Sequence, residues 1–582
     1  MPKRYLVTSG LPYSNGRLHV GHLGGAYLPA DIYVRYLRAC GHDVRFICGS
    51  DDNGVAIEIS ALKASQVAGR EVTPAEISAR FNARQKADFA GMRIEFDVFG
   101  GTHQPGFVET HERMSQEFFR RIFEKGYFTK RSSKQLFDPQ ANRFLPDRYV
   151  RGTCHHCNTP GATGDQCEAC GQIIDPLLLK DPVSEISGQR AEVRETTHWY
   201  LRLADFEKPL GEWLDSKQGV WRPQVLNFAL GQIKQGLPER AMTRDIAWGI
   251  PVPLDDPDAR GKVLFVWFDA PIGYVSFTAK LCAERGGAID DYRQWWADPD
   301  TAIVHFIGED NTVFHTLIWP AMLMADGRFQ LPAHVVANNF INFRLGGAEA
   351  KVSKSRTPED SPVWIEEFLK RFNADALRYY LTAIAPETSR TAFDPQDFVQ
   401  RNNKELVAAF GNFVNRWPKF VFDDFGGKIP DATLTDADRA QAAAGGAALE
   451  RIGRNIEDFR FRAALEELMA FARSCNEYIG LREPWKRRKD NLADCAACVA
   501  TCAHLSRFLA VMAWPFMPTT AERIMQNLGL RDRPVRWEAP APLPAGHALG
   551  ETKMLFNVLE PNCMDARESN AADAREANRT DG

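Results

Sequence analysis

The chain has 582 residues, 44% hydrophobic and 25% charged, with a net charge of −4; so long a chain divides into several domains. The charge balance excludes RNA binding by bulk attraction, so any RNA contact is local and shape-guided. No apolar run reaches the roughly 20 residues of a membrane span, and the 12 cysteines are too sparse for a disulfide scaffold.

In chain order, Met1-Pro2-Lys3-Arg4-Tyr5 runs directly into a strand, Tyr5-Leu6-Val7-Thr8. With neither a secretory nor a transit pattern ahead of it, the expected location is the cytoplasm. The strand ends in Leu11-Pro12-Tyr13-Ser14-Asn15-Gly16-Arg17-Leu18-His19-Val20-Gly21-His22, a turn that hands over to a helix. In an open α/β sheet that hand-over is the ligand crevice, and a helix N-terminus there offers N–H groups to phosphate. Gly21, between His19 and His22, admits a ring close to the backbone. Helical periodicity follows over 30–38, with Pro29 marking either a first turn or a kink and Gly41 as its stop. Val44-Arg45-Phe46-Ile47-Cys48 is the next strand, ending in Gly49-Ser50-Asp51-Asp52-Asn53-Gly54. Asp51 reads as functional and Asp52 as a turn residue.

Cys154-His155-His156-Cys157 and Cys167-Glu168-Ala169-Cys170 are two C-x-x-C pairs across a short Gly-rich loop, the pattern of a tetrahedral zinc site. Cys154, Cys157, Cys167 and Cys170 fill all four positions, so one structural Zn2+ is expected. Further strands are expected at Val263–Phe268 and Ile303–Ile307, with ends over the same crevice. Lys351-Val352-Ser353-Lys354-Ser355 follows a Gly-containing turn and puts two lysines in one loop. Beyond Asp394-Pro395 the pattern is helical to about Asn527, as in a helix bundle. Cys495, Cys498 and Cys502 share one helix face and read as small core residues, with a metal conceivable. Met554–Leu559 reads as a closing strand.

His19-Val20-Gly21-His22 together with Lys351-Val352-Ser353-Lys354-Ser355 resembles the HIGH and KMSKS signatures of class I aminoacyl-tRNA synthetases, and the surroundings of both resemble methionyl-tRNA synthetases. The resemblance runs from Tyr5 to about Leu559 and implies an α/β fold: a Rossmann-type parallel-sheet catalytic domain with a zinc-knuckle insertion, followed by an α-helical bundle. The implied divisions are about 1–118 and 241–344 for the catalytic halves, 119–240 for the insertion, 345–395 for the lysine loop and stem-contact region, 396–560 for the anticodon-binding bundle and 561–582 for a disordered tail.

The resemblance implies a ligase that joins methionine to ATP, then passes it to tRNA(Met), the initiator tRNA included. It would be a monomer with Mg2+ accompanying ATP, and with no DNA or membrane partner. Carried over, His19, His22, Lys351 and Lys354 are catalytic, and His19, His22, Gly308, Asp310 and Lys354 bind ATP. Leu11, Tyr13, Asp51, Trp267, Ala270, Pro271, Tyr274 and His315 bind methionine; Asn412, Arg416 and Trp485 read the anticodon. Some members carry an apolar residue where this chain has Asn311, so Asn311 is left out of the pocket.

Overall fold

The structure is a computed structural model and describes residues 3–146, 149–164, 167, 170, 174–345, 348–350, 361–530, 536–561 and 563–564. Five strands form its parallel sheet: β1 (Arg4–Ser9), β2 (Asp43–Ser50), β3 (Val98–Gly101), β4 (Thr301–Gly308) and β5 (His334–Asn338), in the order β5-β4-β1-β2-β3. Across β1 and β4, Thr8 stands opposite His305 and Ser9 opposite Phe306. Leu6, Ile47, Ile303 and Ile307 pack into one core, and Val7, Phe46, Val304 and Phe306 into the other. A sheet covered on both faces needs apolar side chains at successive positions, hence the unbroken apolar runs of the sequence. From β1 the order proceeds to β2 and β3 on one side and to β4 and β5 on the other. The carboxyl ends of β1 and β4 therefore part at a switch point and open a crevice.

Both segments over that crevice enter their helices in the same way. After β1, Val20–His22 passes through a π turn, Leu23–Tyr27, into the helix Leu28–Ala39, with Pro29 in its first turn. After β4, the π turn Phe314–Ile318 leads into Trp319–Asp326, with Pro320 in its first turn. Proline has no N–H to give and crowds the carbonyl four residues back, and a wider turn relieves both. Pro29 thus opens a helical segment. Gly41, at φ +82°, follows the cap residue Cys40 as the expected stop.

Between β3 and β4 the chain builds a separate antiparallel layer, in which Phe128–Asp138 pairs with Glu192–Leu201. The strands Val150–Thr153, Ala162–Thr163 and Lys180–Ser184 form a small sheet of their own. The insertion boundary expected at 119 falls inside the helix Val108–Glu124. Phe118, Phe119 and Ile122 of that helix share a core with the parallel sheet, and the chain turns away after Gly126, at φ +74°.

Two expected strands do not form as read. Only Val263–Leu264 is extended, because its partner Thr243–Arg244 is two residues long; Val266–Asp269 then coils into a helical turn. Met554–Leu559 is irregular: the side-chain amides of Asn402 and Asn403 bond the Asn557 and Leu559 carbonyls at 3.0 and 2.8 Å, where a neighbouring strand would.

From Pro395 to Asn527 the chain is helical, as expected. Its core merges with one face of the sheet, where Phe306 meets Phe459 and Phe461 at ring distances of 5.9 and 6.3 Å. The helix Leu492–Ala513 is long and apolar enough to cross a membrane, but most of its apolar stretch is buried in the bundle. Cys495, Cys498 and Cys502 lie there, each fully buried.

Candidate active site and metal site

A cavity of about 370 Å3 opens at the crevice. Leu11, Tyr13, His19, His22, Asp51, Trp267, Ala270, Pro271, Tyr274, Gly308, Asp310 and His315 all line it. Lys351 and Lys354 lie outside the described residues. Asn311, set aside on sequence, lines the cavity as well, as do Phe314, Asn339, Phe340 and Ile341; no motif marked the last three.

The two histidines order each other. His19 caps the helix: its Nδ1 accepts from the N–H of Gly21 at 3.1 Å and of His22 at 3.4 Å, while the His19 N–H donates to His22 Nδ1 at 3.2 Å. The rings stack at 3.6 Å. Because each ring accepts at Nδ1, a neutral imidazole carries its proton on Nε2. The ring that Gly21 admits is that of His19, since a Cβ on Gly21 would stand 3.1 Å from it and 3.0 Å from the Ile341 carbonyl. A strap locks this loop from outside. Val20 N–H donates to Val363 O at 3.0 Å, Ile365 N–H donates to Leu18 O at 3.3 Å, and His19 pairs with Trp364. The Arg17 guanidinium lies over the Trp364 ring at 5.3 Å and bonds Glu367 at 2.8 Å.

Asp51 follows β2, held by Ser14 N–H to its carbonyl at 3.0 Å. Its carboxylate is buried and Oδ1 has no partner. Burial, and then the carboxylates of Asp269 and Asp52, raise its pKa well above the usual range. Such a group holds its proton unless a cation reaches it. Asp52, read as a turn residue, lies in the loop after β2. It is fully buried and accepts from Ser50 Oγ at 2.5 Å, from the His103 N–H at 3.0 Å and from Gln104 Nε2 at 3.0 Å. Behind Asp51, the buried Asp269 accepts from Asn53 Nδ2 at 2.8 Å and meets His111 at 3.4 Å. His111 and Asn53 had no sequence signal, since their roles arise only from long-range packing.

On the other wall, Tyr274 Oη lies 2.9 Å from His315 Nε2, and His315 Nδ1 donates to the Asn311 carbonyl at 3.1 Å. Burial pushes the His315 imidazole down to about 4, so it is neutral and Nε2 accepts from the tyrosine. The two polar groups satisfy each other and leave ring faces toward the cavity. At the rim, Trp267 Nε1 donates to Tyr13 Oη at 2.9 Å, and the Phe314 ring meets Trp267 edge-on at 5.9 Å. The helical turn at Val266–Asp269 carries Trp267 to this position.

A family model described as class I tRNA synthetases (M) matches residues 5–418, and one described as the anticodon binding domain of methionyl tRNA ligase matches 429–575. The chain belongs to the methionyl-tRNA synthetase family of class I enzymes. Among curated relatives, the methionine–tRNA ligase of Chlorobaculum tepidum is 43% identical over 577 residues, 96% of this chain and 80% of that one. The Thermococcus kodakarensis ligase is 42% identical over 565 residues, 95% and 73% of the two chains. A crystal structure of Mycobacterium tuberculosis methionyl-tRNA synthetase bound by methionyl-adenylate shares the fold, with a TM-score of 0.76 at 24% identity, covering 95% of this chain and 100% of that one.

In this member of the methionyl-tRNA synthetases, Cys154, Cys157, Cys167 and Cys170 bring their sulfurs within 4.8 Å of one another. Cys154 and Cys170 are 4.0 Å apart, and Cys157 and Cys167 3.6 Å. Four Zn–S bonds of about 2.3 Å make a tetrahedron with edges of about 3.8 Å, so the four sulfurs fit such an ion; a disulfide needs about 2.05 Å. The His156 N–H points at Cys154 Sγ at 3.4 Å. Neither His155 nor His156 joins the cluster.

The three residues that the resemblance carried to the anticodon end lie in the helical region. The Arg416 guanidinium covers the half-buried Trp485 ring at 4.3 Å, and Asn412, one turn earlier, donates to Asn476 Oδ1 at 3.2 Å. The basic run beside the tryptophan is largely paired: Lys486 with Glu483, Arg487 with Asp494 and Arg488 with Asp424.

Proposed function

We propose that this chain activates methionine with ATP and transfers it to tRNA(Met). The observation that carries this reading is one cavity in which paired histidine donors, a buried carboxylate with one oxygen left unpartnered and an apolar ring-lined wall converge. The Asp51 carboxylate holds the methionine ammonium. The thioether lies among Tyr13, Trp267 and Tyr274, where a polarizable sulfur gains contact with ring faces. The methionine carboxylate oxygen bonds to the α-phosphorus and the bond from that phosphorus to the pyrophosphate oxygen breaks. No protein nucleophile takes part; positioning and stabilisation of phosphate charge suffice. His19 and His22 donate from Nε2 to the triphosphate, Lys351 and Lys354 neutralise the leaving pyrophosphate, and Asp310, beside Gly308, accepts from the ribose. Mg2+ bound with ATP would offset part of the triphosphate charge. The deciding experiment is ATP–pyrophosphate exchange with each amino acid in turn: methionine supports it, and absence of methionine-dependent exchange overturns the reading.

The cysteine cluster holds one zinc, and since all four positions are protein thiolates, the metal is structural. Metal analysis of the purified protein finds about one zinc per chain. Cys154→Ser loosens the insertion and slows transfer to tRNA more than it weakens methionine binding. Active protein without zinc rules the site out.

Trp485 and Arg416 offer an aromatic and a cationic plane to an unstacked anticodon base. Stacking contributes about 1–3 kcal/mol per base, so Trp485→Ala slows charging of tRNA by roughly ten- to a hundredfold and leaves tRNA-free exchange unchanged. Equal losses in both reactions, with a lowered melting temperature, assign Trp485 to the bundle core instead.

A further inference from the structure

Two buried titratable groups behind the ammonium loop have no part in the steps above. His111, on the helix Val108–Glu124, and Asp269, at the end of the turn Val266–Asp269, are both fully buried. Neither lines the catalytic cavity. Asp269 has a mechanical use. Asn53, two residues after Asp51, donates to it from Nδ2 at 2.8 Å, so Asp269 ties the ammonium loop to the turn that carries Trp267. The Asn53 amide keeps that orientation because its Oδ1 accepts from His103 Nδ1 at 3.3 Å.

The tie brings a second carboxylate to Asp51. After burial itself, Asp269 does most to push the Asp51 pKa up. Oδ1 of each carboxylate is buried without a partner. Two carboxylates in one buried site do not both ionise unless something offsets one of them. Left alone, the charge of Asp269 would hold the proton on Asp51 even against an arriving ammonium, and a protonated carboxyl makes no charge-assisted bond to it.

His111 supplies the offset. Ser276 gives its one hydroxyl proton to the Gly273 carbonyl at 3.2 Å, so at 3.0 Å from His111 Nδ1 it accepts. Nδ1 therefore carries a proton, and Nε2 faces Asp269 Oδ2 at 3.4 Å. An imidazole lone pair and a carboxylate oxygen face each other only with a proton between them. The His111–Asp269 pair thus holds that proton and no net charge, whichever partner carries it. The other groups that face Asp51 do not replace it. Asp52 is met by Ser50, Gln104 and the His103 N–H. Burial keeps the Tyr13 and Tyr274 hydroxyls un-ionised. Burial, and then His111, push the His103 imidazole down from its ordinary value, so it brings no charge.

We propose that His111 is a positioning residue for methionine recognition: by neutralising Asp269 it lets Asp51 ionise as the substrate ammonium arrives. The inference rests on the ligase reading above, with Asp51 as its ammonium site.

His111→Gln tests it, because glutamine keeps a donor for Asp269 but takes up no proton. The methionine KM in pyrophosphate exchange rises about tenfold, the effect of one pKa unit at Asp51. The kcat and the KM for ATP stay within about twofold of wild type, as for a loss of ground-state binding alone. Adding Asp269→Asn removes the charge that His111 offsets, while the amide oxygen still accepts from Asn53. The His111→Gln/Asp269→Asn double variant therefore returns the methionine KM to within about threefold of wild type, whereas a merely structural role makes the losses add. A wild-type methionine KM in His111→Gln, a loss confined to kcat, or a double variant as impaired as the single one overturns the assignment. Should His111→Gln fail to fold, the double variant is read against wild type, and a methionine KM raised about tenfold there overturns it as well. If the wild-type protein lacks methionine-dependent exchange, the ligase reading falls and this inference with it; exchange that is present but indifferent to His111→Gln removes this inference alone.

Discussion

Replacing His22 with alanine lowers methionine-dependent pyrophosphate exchange by about a hundred- to a thousandfold, the scale of losing one preorganised donor to transition-state charge. The expectation comes from the reciprocal bonds of the loop: with Nδ1 of each ring committed to a backbone N–H, the proton is fixed on Nε2 and needs no reorganisation as charge develops on the phosphates. The two histidines should differ in one respect. His19 caps the helix, so His19→Ala loses activity and also about 1 kcal/mol of stability. His19→Asn keeps an acceptor for the Gly21 and His22 N–H groups but is too short to reach a phosphate. It therefore regains the melting temperature and not the exchange rate. Measuring both on His19→Ala, His19→Asn and His22→Ala separates capping from catalysis; wild-type exchange in His22→Ala removes the phosphate role.

Asp51→Asn raises the methionine KM in exchange by roughly thirtyfold or more, since removing one partner of a buried charge pair costs about 2–5 kcal/mol. The same variant is more stable than wild type when no methionine is bound, because it removes a buried carboxylate whose Oδ1 has no partner. Burial first, and the neighbouring Asp269 and Asp52 carboxylates next, raise the Asp51 pKa in the folded protein above its ordinary 3.8. A carboxyl so shifted holds its proton more tightly folded than unfolded. Its stabilising contribution is full below pH 3.8 and is lost as pH rises toward the folded value. The melting temperature of methionine-free wild type therefore declines with pH above about 4 more steeply than that of Asp51→Asn. Saturating methionine brings its ammonium to the carboxylate and removes the difference. Parallel pH profiles, or an unchanged methionine KM, refute the pairing.

What the sequence made legible was local. Strands buried on both faces announce themselves as apolar runs, and β1, β2 and β4 extend only one or two residues past their expected ends. Short-range spacing placed the paired histidines and the cysteine pairs, and the cavity and the sulfur cluster gather the residues so named. Contacts made across long stretches of chain were not legible. Val263–Phe268 has the composition of a strand, but the length of its partner decides where it stops, and that partner gave no signal. Asp52 looked like any turn aspartate until Gln104 and the His103 backbone met it. The cavity of about 430 Å3 beside Glu309 is walled by Phe228, on the helix Pro223–Gln235 more than seventy residues earlier, and no motif points from one to the other.

The strap across the histidine loop bears on Lys351 and Lys354. Upstream of them, Ile341 lines the catalytic cavity; downstream, Val363 and Ile365 are bonded to the backbone on either side of His19. The stretch that carries both lysines is thus anchored at two points on the rim of the same cavity. On the proposed role of Lys351 and Lys354, the chain itself supplies the amines that meet the pyrophosphate, at an effective concentration on the order of millimolar. A free amine offered to a Lys354→Ala protein competes against that figure. It has to be supplied at comparable concentration before it can substitute.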